Sequence, residues 1–325
     1  MIETLTETFV DPQTKEPLEK DSQGNLTSRP GAREVYAAFD GCYDFCASNP
    51  DVKEAREAYD KHYGVGQTPR LTFASINDAW ADKTVPWRKT MLDSLGSLAG
   101  KRVLLLGNGR SYIEFYFAHL GANVVFTDLS LVAARKAKSV FRNSEFWEKH
   151  RDNFEFHAVD AMRLPFPDQS FDVVYGTKFV GFLPNQKDFF IEVSRVLKPG
   201  GKCRFCDDAR SPAWEAVRTK LVHPLKSMTS RSGLAKVRSN SIFSFEQKDL
   251  DSYVKPCGFS RLVFVPQYFF LRVSQLSWAR VAGWSPERER FVRPIFRLMR
   301  MLDDGLANTK FMKRNSLALT WGFDK

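Results

Sequence analysis

The residues of this chain whose types and spacing could do chemistry stand at the ends of apolar runs. Gly107-Asn108-Gly109-Arg110-Ser111 follows the run RVLLLG and opens a helical segment. Glycines in such a turn let the backbone approach a ligand closely, and the helix start offers unpaired N–H donors. Asp128 ends the next run, NVVFTD, 19 residues beyond Gly109. A carboxylate at that place can accept both hydroxyls of a ribose. Asp160-Ala161 follows a third run, NFEFHAV, and is itself followed by LPFPDQSFDVVYG and RVLKPGG. The glycines and Asp128 alone would suit NAD, but the glycine pattern of that class, G-x-G-x-x-G, fails at Tyr112.

These residues need a scaffold that brings strand ends together. Strands are expected at 102–107, 123–128, 153–159, 170–176 and 201–207, each a nearly continuous apolar run of the kind buried in parallel sheets. Helical stretches alternate with them: SYIEFYFAHLG, SLVAARKAKSVF and DFFIEVSRVLKPGG. This alternation predicts an α/β fold with a doubly wound, mostly parallel sheet, whose ligand sits outside the carboxyl ends of the strands.

Taken together, the motifs resemble the class I S-adenosylmethionine-dependent methyltransferases, especially the branch that includes quinone-biosynthesis methyltransferases. The resemblance covers about 101–208 and implies a seven-stranded Rossmann-like sheet with S-adenosylmethionine as cofactor. It implies that Gly107, Asn108, Gly109 and Ser111 pass beneath the methionine part and that Asp128 binds the ribose, with Leu129 against the adenine. Asp160 would take the adenine amino group, with Ala161 and Met162 beside the ring. Tyr175, Gly176 and Thr177 would line the sulfonium end. The chain departs from the pattern at Leu105, where the family usually has an acid, at Ser111 in place of a third glycine, and at Gly181-Phe182, where relatives often carry a histidine pair. Glu114, one turn into the following helix, is the candidate for the missing acid's work on the charged amino-acid tail.

Methyl transfer asks the enzyme to align an acceptor and remove its proton. Lys178 after the fourth strand and Asp207 after the fifth are the candidate catalytic residues, beside Asp208 and Arg210; Asp208 could instead cap a helix starting near Pro212. His157 reads as packed within its strand, and His223 as either packed or functional. Two edge strands are expected at 259–265 and 315–323. The aromatic and basic insertion between them, 266–314, is too long for a hairpin loop and would cover the acceptor. Its Arg290, Arg293, Arg297 and Arg300 share one helical face, with Phe291, Ile295, Leu298 and Leu302 roughly opposite, and the ordinary reading is one face packed on the core.

The remaining organisation is a ribbon-like N-terminal segment at 1–50, helices covering the site at 51–98, and the methyltransferase domain at 99–325 with substrate-side insertions at about 209–258 and 266–314. The first segment resembles a zinc-ribbon module that precedes some methyltransferases. Its ligand positions are here Asp11, Thr14, Ser28 and Pro30, which supply no thiolates, so no metal is expected. Cys203 and Cys206 fall on opposite faces of one strand and cannot chelate together.

Residues 209–325 hold 21 Lys/Arg against 9 Asp/Glu, a net +12, whereas residues 1–208 carry −2. The basic third suits an anionic acceptor or peripheral contact with a membrane surface, or is simply solvated. No apolar run is long enough to span a bilayer, no basic secretory leader opens the chain and five cysteines make no disulfide framework, so a cytoplasmic place is expected. The expected activity is methylation of a small-molecule or lipid-linked acceptor. An RNA acceptor is the alternative, although YGTK lacks the aromatic acceptor motif of amino-directed nucleic-acid enzymes; a non-catalytic binding or activator protein is another.

Overall fold

The computed structural model describes residues 8–28, 35–65, 70–81, 86–208, 252–259, 261–267, 294, 298–299, 301–306, 309–310 and 318–325. Six short strands come first: β1 (Phe9–Val10), β2 (Pro17–Lys20), β3 (Leu26–Thr27), β4 (Val35–Tyr36), β5 (Ala38–Phe39) and β6 (Cys42–Tyr43). The first four form an antiparallel sheet and the last two a hairpin. A 3₁₀ turn over Pro50–Val52 leads into α1 (Lys53–Gly64), then α2 (Phe73–Ala81) and α3 (Pro86–Leu95). Beyond them run β7 (Arg102–Leu106), α4 (Tyr116–His119), β8 (Asn123–Asp128), α5 (Leu131–Arg142), α6 (Trp147–His150), β9 (Phe154–Ala158), β10 (Phe171–Thr177), α7 (Gln186–Val196), β11 (Leu197–Asp208), β12 (Arg261–Gln267) and β13 (Ala318–Asp324).

The seven-stranded sheet has the order β12-β13-β11-β10-β7-β8-β9. Pairing is parallel from β11 to β9, while β13 runs antiparallel to both β11 and β12. Because successive strand residues face opposite ways, β7 sends Val103 and Leu105 into one core and Leu104 and Leu106 into the other. The first core lies under α2 to α5; the second holds α7 together with N-terminal residues such as Phe9 and Tyr36. Local sequence sets each helix. Ser130 caps α5 by accepting from the Ala133 amide, and Ala133, Ala137 and Phe141 then fall on its buried side. Asn185 caps α7 by accepting from the Lys187 and Asp188 amides, ahead of buried Phe189, Phe190 and Val193.

The structure moves several expected boundaries. In RVLKPGG the helix stops at Val196 and the strand begins at Leu197, so the glycines already belong to β11. The two edge strands expected beyond the fifth are present, over Arg261–Gln267 and Ala318–Asp324 among the described residues. The helix expected over SYIEFYFAHLG shortens to a 3₁₀ turn and the single turn of α4. Gly121, at φ 86° against Ala99, turns the chain back into β8, and a Cβ there would crowd the Ala99 backbone at 3.2 Å.

The N-terminal segment is docked on the main sheet. Phe45 donates its amide to the Ala158 carbonyl and Tyr43 its amide to His157 Nδ1, continuing the pairing beyond β9. Lys15 meets Glu192 of α7 at 2.8 Å. Asp11 accepts the Gln13 and Thr14 amides on one oxygen and the Tyr36 hydroxyl on the other, tying the turn by hydrogen bonds. Four cysteines are buried; Cys203 and Cys206 point into opposite cores, and Cys203 is pushed up to about 12 by burial.

In the helical residues 298–299 and 301–306, Met299 packs on the core and Asp303 is buried. Leu298, Met301 and Leu302 are 53%, 69% and 40% exposed. This corrects the expectation that the apolar face with Leu298 and Leu302 packs inward: Met299 and Asp303, four residues apart, form the inner face instead. Arg290, Arg293, Arg297, Arg300, Arg210, His223, Pro212 and Pro30 lie outside the described residues. Among the described residues no helix is long and apolar enough to cross a membrane.

Candidate active site

The carboxyl ends of β7, β8, β9 and β10 surround a cleft of about 150 Å³. Gly107, Asp128, Leu129, Asp160, Ala161, Met162 and Lys178 line it, so seven residues singled out in the sequence share one wall system. Gly107 takes φ 63°, a left-handed turn that a side chain would strain. Its amide donates to the Thr127 carbonyl, which holds the loop against the end of β8.

Asp128 is the pivot. Its Oδ2 accepts the Gly109 amide at 2.8 Å and its Oδ1 the Ser130 amide at 3.0 Å. Each oxygen retains a further acceptor site for a ligand hydroxyl. Burial nevertheless outweighs these amides and pushes the carboxyl up to about 6. Asp160 is also raised by burial, against the Met162 amide, Arg163 and Asn49. Its two oxygens are engaged by the Met162 amide at 2.9 Å and by Asn49 Nδ2 at 3.2 Å.

Behind the glycine loop lies a second polar group. Ser111 Oγ donates to Glu114 Oε2 at 2.8 Å. Glu114 is fully buried, which pushes its carboxyl up to about 7. Its Oε1 and both side-chain polar atoms of Asn108 are buried with no hydrogen-bond partner among the described residues. Tyr175 is buried too, its ring packed edge-on to Phe117 in the core at 5.1 Å. Burial and the Glu114 charge hold its phenol well above its ordinary range. Asn108, Glu114 and Tyr175 thus sit beneath the loop, outside the cleft lining.

Lys178 adopts φ 60° at the end of β10 and donates its amide to the Cys206 carbonyl. A lysine in this region is strained by roughly 1–3 kcal/mol. Asp207 stands beside it, buried, with Oδ1 accepting the Val180 amide at 3.1 Å. Asp207 therefore holds the turn that follows Lys178, and it is absent from the cleft lining. Thr177 is buried at the same strand end, and Gly176 lets Phe179 pack flat on β10.

Helix α1 forms the other wall with Tyr59 and Tyr63, whose rings stack at 6.0 Å and 15°. The Tyr63 hydroxyl lies where a side chain on Gly109 would have to go. Arg110 binds the carbonyls of His62 and Val65, and Lys136 those of Tyr63 and Val65, so two cations meet the negative end of α1. Sequence reading placed a covering helix here but named none of Asn49, Tyr59, Tyr63 or Phe179. The tyrosine spacing of four residues was the available signal, since it puts both rings on one helical face.

Residues 104–205 match the family model described as a methyltransferase domain. The chain is 28% identical over 214 residues to a demethylmenaquinone methyltransferase of Renibacterium salmoninarum, covering 65% of this chain and 74% of that protein. It is 26% identical over 205 residues to methyltransferase GfsG of Streptomyces halstedii, covering 61% and 70%. Geranyl diphosphate C-methyltransferase from Streptomyces coelicolor A3(2) shares the fold, with TM-score 0.54 at 11% identity over 85% of this chain and 98% of that one.

Fold, cleft and sequence likeness together define a class I S-adenosylmethionine-dependent methyltransferase. Its sequence likeness includes proteins named demethylmenaquinone methyltransferase. The residues present fit S-adenosylmethionine as cofactor: two carboxylates stand at successive strand ends on a cleft floored by a left-handed glycine, and buried polar atoms without partners lie under the loop where a charged amino-acid tail needs them.

Proposed function

We propose that this enzyme methylates an apolar, ring-containing, lipid-linked acceptor that carries an ionisable hydroxyl. The observation that carries the reading is Lys178, held in a left-handed conformation on a cleft wall otherwise made of Phe179, Phe182, Leu183 and Pro184. A cation in apolar surroundings favours the ionised form of a bound hydroxyl, and it does so without occupying the space of the ring. The relatives named demethylmenaquinone methyltransferase support an acceptor of this kind.

In this reading the residues divide the work. Asp128 accepts the ribose hydroxyls and Asp160 the adenine amino group, with Leu129, Ala161 and Met162 against the base. Gly107 and Gly109 let the backbone come close, while Asn108, Ser111 and Glu114 receive the charged tail. Gly176 and Thr177 close the floor at the end of β10, and Tyr175 supports that strand end from the core. S-adenosylmethionine supplies, when bound, an electrophilic methyl group. Lys178 holds the acceptor oxygen, and Asp207 positions the Lys178 turn through the Val180 amide. Tyr59 and Tyr63 exclude water from above. The exposed ridge of Leu298, Met301 and Leu302, in the basic third of the chain, supports collection of the acceptor at an anionic membrane surface.

The test uses methyl-labelled cofactor with three acceptors in parallel: a reduced demethylmenaquinone in anionic vesicles, the same quinone in neutral detergent, and bulk transfer RNA. Label in the lipid extract, strongest with anionic vesicles, is the expected result. Label in the RNA would overturn the acceptor class, and label in none of them would favour a non-catalytic role for the fold.

A further inference from the structure

The N-terminal segment reaches both cofactor carboxylates. Asn49, its last residue before the Pro50 turn, donates Nδ2 to Asp160 Oδ2 at 3.2 Å. The orientation of this amide follows from its other side, where Oδ1 accepts the Asp51 amide at 3.1 Å and faces Arg163 at 3.5 Å. Asn49 is itself buried, so the bond to Asp160 is shielded from water. A second arm starts at Asp44, whose carboxylate pairs with Arg56 of α1; Arg56 also faces Asp60 at 3.6 Å. Asp60 accepts from Ser130 Oγ, and the Ser130 amide donates to Asp128. The segment bearing Asp44 and Asn49 is anchored to the sheet by the Tyr43 and Phe45 amides.

Resting on the cofactor reading above, we propose that Asn49 is a positioning residue that aims the Asp160 carboxylate at the adenine amino group, making the ribbon-like segment a working part of the cofactor site. Two oxygens on one carboxylate are otherwise free to rotate about the side-chain bond. The Met162 amide fixes one of them, and Asn49 fixes the other. With both held, the lone pairs left over point in set directions, and a base with an exocyclic amino group is distinguished from one carrying a carbonyl there. Losing the donor leaves Asp160 charged and buried but badly aimed.

The experiment is calorimetric, with S-adenosylhomocysteine and its inosine counterpart as probes. Asn49→Ser is the variant, since serine keeps an oxygen to cap the Pro50 turn but cannot reach Asp160. Asp40→Ala, which breaks the exposed Asp40–Arg142 pair on the same segment, is the docking control. Asn49→Ser should weaken S-adenosylhomocysteine binding about tenfold, as for a hydrogen bond to a charged group. It should bring the adenine and inosine probes closer in affinity, and change little when Asp160→Ala is already present. Asp40→Ala should bind both probes as the parent does.

Unchanged binding by folded Asn49→Ser would overturn the proposal. So would an equal loss for both probes that persists in the Asp160→Ala background, because that pattern marks general loosening. If Asn49→Ser does not fold, Asn49→Asp is read the same way, and its like charge beside Asp160 should lower discrimination further. Failure of the parent protein to bind either probe would overturn the cofactor reading itself, a result distinct from these.

Discussion

The Gly109 amide donates to Asp128 Oδ2 at 2.8 Å, so the acid proposed to receive the ribose is also the group that holds the glycine loop. Removing it acts twice, on the ligand contact and on the loop. Asp128→Ala should weaken S-adenosylmethionine binding by about 1.5–3 kcal/mol, measured by calorimetry on folded protein. An unchanged dissociation constant would remove Asp128 from the site.

The same carboxyl gives a pH dependence. Burial holds Asp128 at about 6, and in the proposed site the ribose hydroxyls donate to its ionised form. Cofactor affinity should be flat above pH 6 and fall as pH drops through that value, by up to about tenfold per pH unit. A titration series from pH 5 to 8 checks this, with Asp128→Asn expected to flatten the profile.

Glu114 makes a prediction about stability. Its carboxyl titrates at about 7 in the fold against 4.5 in an unfolded chain. Below pH 4.5 it is protonated in both states and costs nothing. As pH rises from 4.5 through 7, the unfolded chain ionises first and the fold loses up to about 3 kcal/mol. Glu114→Gln should therefore raise the melting temperature at pH 8 and leave it unchanged near pH 4. In binding the sign reverses, because the buried carboxylate is the proposed counter-charge for the cofactor's ammonium; affinity for S-adenosylmethionine should fall in the same variant. A variant with unaltered affinity would assign Glu114 to packing alone.

Lys178 separates conformational strain from chemistry. Lys178→Gly relieves a left-handed φ and should stabilise the fold relative to Lys178→Ala by about 1 kcal/mol, read from denaturant unfolding. Both variants should lose most methyl transfer while binding cofactor normally. Equal activity in all three proteins would place the acceptor away from Lys178.

The N-terminal turn predicts insensitivity to chelators. Asp11 takes three hydrogen bonds that hold its turn, so Asp11→Ala should cost about 1–3 kcal/mol, whereas prolonged chelation should leave the melting curve unchanged. Metal analysis finding a stoichiometric tetrahedral zinc would contradict this account of the turn.

Much of the fold could be read from sequence because buried parallel strands are apolar through their middles, as VLLL and VVF are. The positions of Asp128 and Asp160 were legible for the same reason: each is the first acid after such a run. The boundary at Leu197 was not, because a leucine is equally at home at the end of α7 and the start of β11. Contacts between distant segments leave still less trace. Asn49 lies 111 residues from Asp160, and no local pattern marks a polar side chain that folds back so far. The outward face of Leu298 and Leu302 was hidden because helical spacing gives the period of a face, while the neighbours that decide which side is buried come from elsewhere in the chain.

The measurement closest to the central claim is a calorimetric titration of the purified chain with S-adenosylmethionine, beside the Asp128→Ala and Asp160→Ala variants. One site per chain, weakened in both variants without loss of folding, is the predicted result. No binding at near-millimolar cofactor, or binding indifferent to both aspartates, would contradict it.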